Sequence, residues 1–309
     1  MPARPKVDTF CPVSLTHPAQ GRPIGDVAAP AGAHPFDGTV ALVTGAARPR
    51  GIGRATATAL ARQGAAVGCL DIARPYEEAP GHGTASSDDL DRLGEELAAL
   101  GARVHTVRSD ISDEEAVERA VAEVSEALGT VTVVANVAGG SGPGFGIGPL
   151  LHVPAAEFRR VLDVNVVGTW LVSRACATRM VAAGRPGRIC NVASQAGKRA
   201  FPVLGAYCAA KAGVILLTQT MALELGPAQI AVNAVCPGTV DTDLINKDSL
   251  FENLMGGPEG MEAWIRREIP LGRLQSADEI AAAICWLLSE DARGVTGEAL
   301  NVSAGQTMV

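Results

Sequence analysis

From residue 38 onward, short, largely apolar runs alternate with segments of helical period, and the runs are continuous rather than alternating apolar with polar. A strand with no polar face must be buried on both sides. That condition is met by a parallel sheet covered by helices on each face. The runs at 39–43, 65–70, 104–107, 131–135, 188–192, 230–235 and 299–302 predict seven such strands. Between them, 54–63, 86–100, 112–128, 154–183, 203–225 and 276–289 predict helices. Ser86, Ser112 and Ser276 stand where N-caps belong, and leucines at 90, 93, 97 and 100 keep the helical spacing. The expected fold class is α/β, a single doubly wound parallel sheet of seven strands. No solenoid-length repeat appears. Aromatic residues make up only 4% of the chain, and small side chains suit close helix-on-sheet packing.

Residues 1–37 follow a different pattern. They hold seven prolines (positions 2, 5, 12, 18, 23, 30 and 35) and no strand or helix period, which predicts an irregular arm ahead of a 38–309 domain. Net charge is −7, which disfavours nucleic acid and anionic membrane as partners. No apolar stretch approaches the roughly 18 residues of a membrane helix, and the N-terminus lacks the apolar segment of a secretory signal. Seven cysteines are scattered singly, with no zinc spacing, as expected of reduced thiols in a cytoplasmic protein without a structural metal.

Four features carry chemistry. Thr44-Gly45-Ala46-Ala47-Arg48-Pro49-Arg50-Gly51-Ile52-Gly53 links the first strand to the first helix. Glycines there let the backbone turn tightly against a pyrophosphate, and the helix N-terminus supplies free N–H groups. Asp71, eighteen residues past Gly53 and at the end of the second strand, suits the hydroxyls of an adenosine ribose. Tyr207 and Lys211 stand four apart on a predicted helix, so phenol and ammonium share one face. A cation about 5 Å away, at an effective dielectric near 20, is worth roughly 3 kcal/mol. That predicts a phenol lowered by about two pKa units, usable as an acid or base near pH 7 to 8. Ser194 ends the fifth strand, where a hydroxyl can hold a carbonyl oxygen. Asn165, inside an apolar helix, needs a water or backbone partner.

Together with Asp110, Asn136-Val137-Ala138-Gly139 and Pro237-Gly238-Thr239-Val240-Asp241-Thr242, these residues resemble a short-chain dehydrogenase/reductase of the main, Tyr-x-x-x-Lys type. The likeness covers about residues 38–306 and implies a Rossmann fold and a nicotinamide cofactor. It implies that Asn165, Ser194, Tyr207 and Lys211 are the catalytic tetrad. Cofactor contacts are implied at Gly45, Arg50, Gly51, Ile52 and Gly53, and at Asp71 and Ile72. Asp110 and Ile111 would meet the adenine. Asn136, Ala138 and Gly139 would line the floor, with Tyr207 and Lys211 beside them. Pro237, Gly238, Val240 and Thr242 would run past the nicotinamide and pyrophosphate. The chain departs from the family in two places. Five residues rather than three separate Gly45 from Gly51, and residues 72–88 form a long link like that of the carveol-dehydrogenase-like branch. Such a link could fold over the adenine, or be a solvated insertion.

The expected function is interconversion of a secondary alcohol and a ketone with NAD, NADP being disfavoured by Asp71. Two alternatives stand beside it: an acyl-carrier or polyketide-type ketoreductase using NADPH, and a non-catalytic dinucleotide sensor. Asp71 counts against the first and the complete tetrad against the second. Residues 241–270 would form the lid, with Phe145, Gln195 and Phe201 lining a pocket for an apolar, medium-sized alcohol. The apolar faces of 154–183 and 203–225, with the resemblance, imply a homotetramer.

Overall fold

The computed structural model describes residues 34–77, 79, 83–242, 252–253 and 255–309. Seven strands lie in one parallel sheet: β1 (Val40–Thr44), β2 (Ala66–Asp71), β3 (Val104–Arg108), β4 (Val133–Asn136), β5 (Gly187–Val192), β6 (Ile230–Pro237) and β7 (Ala299–Val302). Their order is β3-β2-β1-β4-β5-β6-β7. Every residue of β1, β2 and β4 is buried, as continuous apolar runs require.

Successive side chains of a strand point to opposite faces, and β1 shows both. Ala41 and Val43 pack with Leu60 of α1 (Ile52–Arg62), Leu93 and Leu97 of α2 (Ser87–Ala99), and Ile284 of a C-terminal helix. Leu42 faces the other layer, with Val124 of α3 (Glu114–Leu128) and buried residues of three later helices. Those are α4 (Ala155–Leu162), α5 (Gly168–Ala182) and α6 (Gly205–Leu225). After β6, the helices with described bounds are α7 (Gly257–Glu268) and α8 (Ala277–Leu288). Each fully buried leucine contributes about 1.5–3 kcal/mol through burial.

Chain order reverses between β1 and β4, which leaves a crevice at their C-terminal ends. Register levels those ends, because Thr44 pairs with Leu70 on one side and Asn136 on the other.

Four expectations need correction. Phe36, assigned to the arm, is 1% exposed and its N–H donates to the Gln63 carbonyl at 2.9 Å. The packed body therefore includes 34–37; the rest of the arm lies outside the described residues. Ser112 does not cap α3. Its hydroxyl donates to Asp110 at 2.6 Å, and Asp113 is the cap, accepting from the Ala116 N–H. Ser86 and Ser276 do cap, each in a reciprocal box with an acid three residues on. The segment 154–183 is not one α-helix. A π-turn, Asp163–Val167, joins α4 to α5, with the Gly168 N–H reaching back five residues to the Asp163 carbonyl. Finally, Gly205–Ala228 is long and apolar enough to cross a membrane by length and composition, at mean hydropathy 1.3. It is instead a layer helix of the core, packed on the sheet through Ala206, Ala210, Val214 and Met221.

Candidate active site

After β1 the backbone turns at Gly45, with φ +66°, and a Cβ there would meet the Ala138 Cα at 2.7 Å. A Cβ on Gly53 would lie 2.1 Å from the Gly45 carbonyl oxygen. Only hydrogen fits at either position, so strand, turn and helix close up tightly. The Thr44 hydroxyl accepts the N–H groups of Val137 (3.0 Å) and Ala138 (3.1 Å), tying the end of β1 to the segment after β4. Arg54 braces the turn from inside, donating to the carbonyls of Ala47 and Asp89 and pairing with Glu96 at 2.6 Å. Helix α1 begins at Gly51 and Ile52 with no side-chain cap and no acid in its first turn. Its N–H groups and positive end are thus left for an anion, the arrangement a pyrophosphate requires.

The two extra residues of the turn do not aim bare cations at that anion. Arg50 pairs with Asp241 at 2.9 Å, and Arg48 donates to the Gly83 carbonyl. The described part of the long link after β2 is buried at Ala73, Ala79 and Ala85 and exposed at Arg74, Pro75, Glu77 and Gly83. Its Tyr76 ring meets Phe145 at 5.6 Å, and the Thr84 hydroxyl donates to the Arg74 carbonyl at 2.9 Å. Phe145, expected in the substrate pocket, is wholly buried under this link. Residues 78 and 80–82 of the link lie outside the described residues.

Asp71 is buried. Its two carboxylate oxygens accept the N–H groups of Ala47 (2.9 Å) and Ala73 (3.0 Å), so the acid clasps the glycine turn to the chain beyond Ile72. Just beyond the neighbouring strand β3, Asp110 accepts from Ser112 and pairs with Arg74 at 3.5 Å. Ile111 packs against Gly168. A cavity of about 560 Å³ opens beside them, between Tyr76, Asp110, Arg160 and Asp163.

Asn136 does not present its side chain to the crevice. Its amide donates to Ser173 (2.8 Å) and Asn191 (2.9 Å) in an interior network that continues to Thr218. Gly139 has φ +148°, and a Cβ there would lie 2.5 Å from the Asn165 Oδ1 and 3.3 Å from the Lys211 Nζ. Asn165 sits on the π-turn. Its Oδ1 accepts the Gly140 N–H at 2.9 Å, while its Nδ2 donates to the carbonyls of Gly140 and Val161. Of the two partners expected for it, backbone is the one observed.

Ser194 follows β5, and its hydroxyl accepts the Ala196 N–H at 3.1 Å. Tyr207 and Lys211 stand one turn apart near the start of α6. Lys211 donates to the Val192 carbonyl at 2.8 Å, and its ammonium is 5.5 Å from the Tyr207 ring centroid. The three side chains thus converge, but the electrostatics differ from expectation. Burial pushes the Tyr207 phenol up to about 12, against the downward pull of its hydrogen bond with Ser194. Burial also lowers Lys211 to about 8. Spacing along a helix gives the separation of two charges, not the loss of water around both.

Strand β6 ends at Pro237. Beyond it, the Gly238 N–H is shared by the Val302 carbonyl and the Gln275 Oε1, and the Asp241 N–H donates to the Gln275 carbonyl. Val240 is buried, and the Thr242 N–H donates to its carbonyl at 2.8 Å. The expected lid continues from here. Residues 243–251 and 254 lie outside the described residues, and α7 forms its second half. Gln195 is buried, with its amide taken up by Gln306 and Thr307. Phe201 packs under the Arg199 guanidinium at 4.6 Å. Arg54, Gln275 and Gln306 are not among the expected site residues, and Thr44 enters the expectation only as the first residue of the glycine motif.

Residues 45–307 match the family described as enoyl-(acyl carrier protein) reductase. The chain is 33% identical to a sorbitol dehydrogenase of Cereibacter sphaeroides, over 88% of this chain and 99% of that protein. It is 31% identical to a (−)-trans-carveol dehydrogenase of Rhodococcus erythropolis, over 88% and 98%. The crystal structure of carveol dehydrogenase from Mycobacterium avium in complex with NAD superposes with a TM-score of 0.83 at 32% identity, over 88% of this chain and 99% of that one. Strand order, glycine turn, converging Ser194, Tyr207 and Lys211, and these relatives agree: the chain belongs to the short-chain dehydrogenase/reductase family.

Proposed function

We propose that this protein interconverts a secondary alcohol and a ketone with NAD. One observation carries the reading: Ser194, Tyr207 and Lys211 converge on the same crevice as an uncapped helix N-terminus and a glycine cradle that no side chain can enter. NAD, when bound, supplies the hydride acceptor or donor. The chain's residues do the rest. The turn at Gly45, Gly51, Ile52 and Gly53 holds the pyrophosphate, and Asp71 the adenosine ribose. Asn165, through Gly140, sets the floor formed by Ala138 and Gly139. Ser194 holds the substrate oxygen while Tyr207 takes or returns its proton. Lys211, fixed on the Val192 carbonyl, places positive charge behind the forming phenolate. NAD and a panel of secondary alcohols, followed at 340 nm, test the reading. Reduction with secondary alcohols is expected; its absence across polyols and cyclic alcohols would contradict the proposal.

The shifted groups set a pH dependence. Oxidation needs the phenolate, whose share rises about tenfold per pH unit below the phenol's pKa. Alcohol oxidation should therefore climb from about pH 6 and flatten as Lys211 loses its proton near 8. Ketone reduction needs the phenol protonated and should stay flat over the same range. Profiles of kcat/KM in both directions check this, and a flat oxidation limb would contradict it.

Assembly belongs to the same proposal. Helices α5 and α6 expose Trp170, Leu216 and Leu223, apolar side chains that a second copy would cover. We infer a homotetramer in the cytoplasm, where the six described, unpaired cysteines would stay reduced. Light scattering at micromolar concentration should give four times the mass of the chain; a monomer would refute it.

A further inference from the structure

The geometry points to Gln306, three residues from the C-terminus, as a positioning residue for the nicotinamide end of the site. The inference rests on the NAD-dependent reading above. The Gln306 Oε1 accepts three hydrogen bonds, each 3.0 Å long: from the Thr239 N–H, the Thr239 hydroxyl and the Gln195 Nε2. Thr239 lies in the segment after β6, and Gln195 directly follows Ser194. One buried oxygen therefore locks the Pro237–Gly238–Thr239 chain to the catalytic strand end.

The lock is itself anchored. The Gln306 main-chain carbonyl accepts from Arg199, its N–H donates to Ser303, and Thr307 bonds back to both Ser303 and Gln195. Gln306 is 6% exposed, and its own Nε2 is buried without a partner among the described residues. A buried amide donor left unmatched is unfavourable, and the three bonds to the oxygen offset that cost.

Topology assigns the end it acts on. The ribose acid Asp71 ends β2 and the phosphate turn follows β1, while Ser194 follows β5 and Thr239 follows β6. A dinucleotide laid across these strand ends has its reactive ring on the β5–β6 side. Loosening Thr239 should thus weaken the grip on the nicotinamide half and leave the adenosine half alone.

ADP-ribose, which lacks the nicotinamide ring, separates the two. With Gln306→Met, of similar shape but without the acceptor oxygen, the NAD dissociation constant should rise about tenfold, and that for ADP-ribose should stay within about twofold. Gln306→Glu, which keeps an acceptor, should recover most of the NAD affinity. Equal weakening of both ligands, or no change in either, would overturn the inference. Should Gln306→Met fail to fold, Thr239→Val removes only the hydroxyl bond and should give the same contrast at about threefold; equal effects on both ligands would again overturn it. A wild-type protein that binds neither ligand would instead refute the NAD-dependent reading itself.

Discussion

Tyr207→Phe is expected to lower turnover by about three orders of magnitude while leaving NAD affinity within about twofold. General acid–base catalysis contributes about 10²–10⁴-fold, and the substitution removes only the oxygen that performs it. The ring stays packed against the core. Ser194 keeps its bond to the Ala196 N–H, and Lys211 keeps the Val192 carbonyl. Binding and catalysis should therefore separate in kcat and in the dissociation constant measured by titration. Activity within tenfold of the wild type would remove Tyr207 from its role.

Cofactor choice should show the second large effect: kcat/KM for NAD should exceed that for NADP by about two orders of magnitude. The two N–H groups on the Asp71 oxygens hold its carboxylate in one place. Each negative charge of a 2′-phosphate brought to about 5 Å, at an effective dielectric near 20, meets roughly 3 kcal/mol of repulsion, or about a hundredfold. The sequence offers Arg50 and Arg74 as possible cations for that phosphate. Both are already drawn onto carboxylates, Arg50 to Asp241 at 2.9 Å and Arg74 to Asp110 at 3.5 Å. Asp71→Ser should shrink the ratio at least tenfold by removing the repulsion. It should also weaken NAD, because the Ala47 N–H loses its acceptor. A measured NADP preference in the wild type would contradict the assignment.

The layered fold was legible because its central strands β1, β2 and β4 are buried at every position, which apolar runs state directly. The catalytic groups were legible because one helical turn dictates that Tyr207 and Lys211 share a face. What escaped depends on contacts between distant segments. The π-turn around Asn165 leaves no mark in the apolar pattern of 154–183. Ser112 and Asp113 are equally good caps by residue type, and the choice falls to Asp113 because Asp110 takes the Ser112 hydroxyl. Phe145 reads as a free aromatic until the long link brings Tyr76 onto it. The phenol was expected low and stands high because burial outweighs its neighbours. Gln306 acts on residues 67 and 111 positions away, a pairing that only the folded chain displays.

The central claim is direct hydride transfer from the carbinol carbon, and isotope labelling tests it most directly. A secondary alcohol bearing deuterium on that carbon is incubated with NAD and enzyme, and the reduced cofactor is analysed by mass spectrometry. The account predicts one deuterium in the reduced cofactor and none released to water. Unlabelled reduced cofactor with deuterium in the solvent would contradict it.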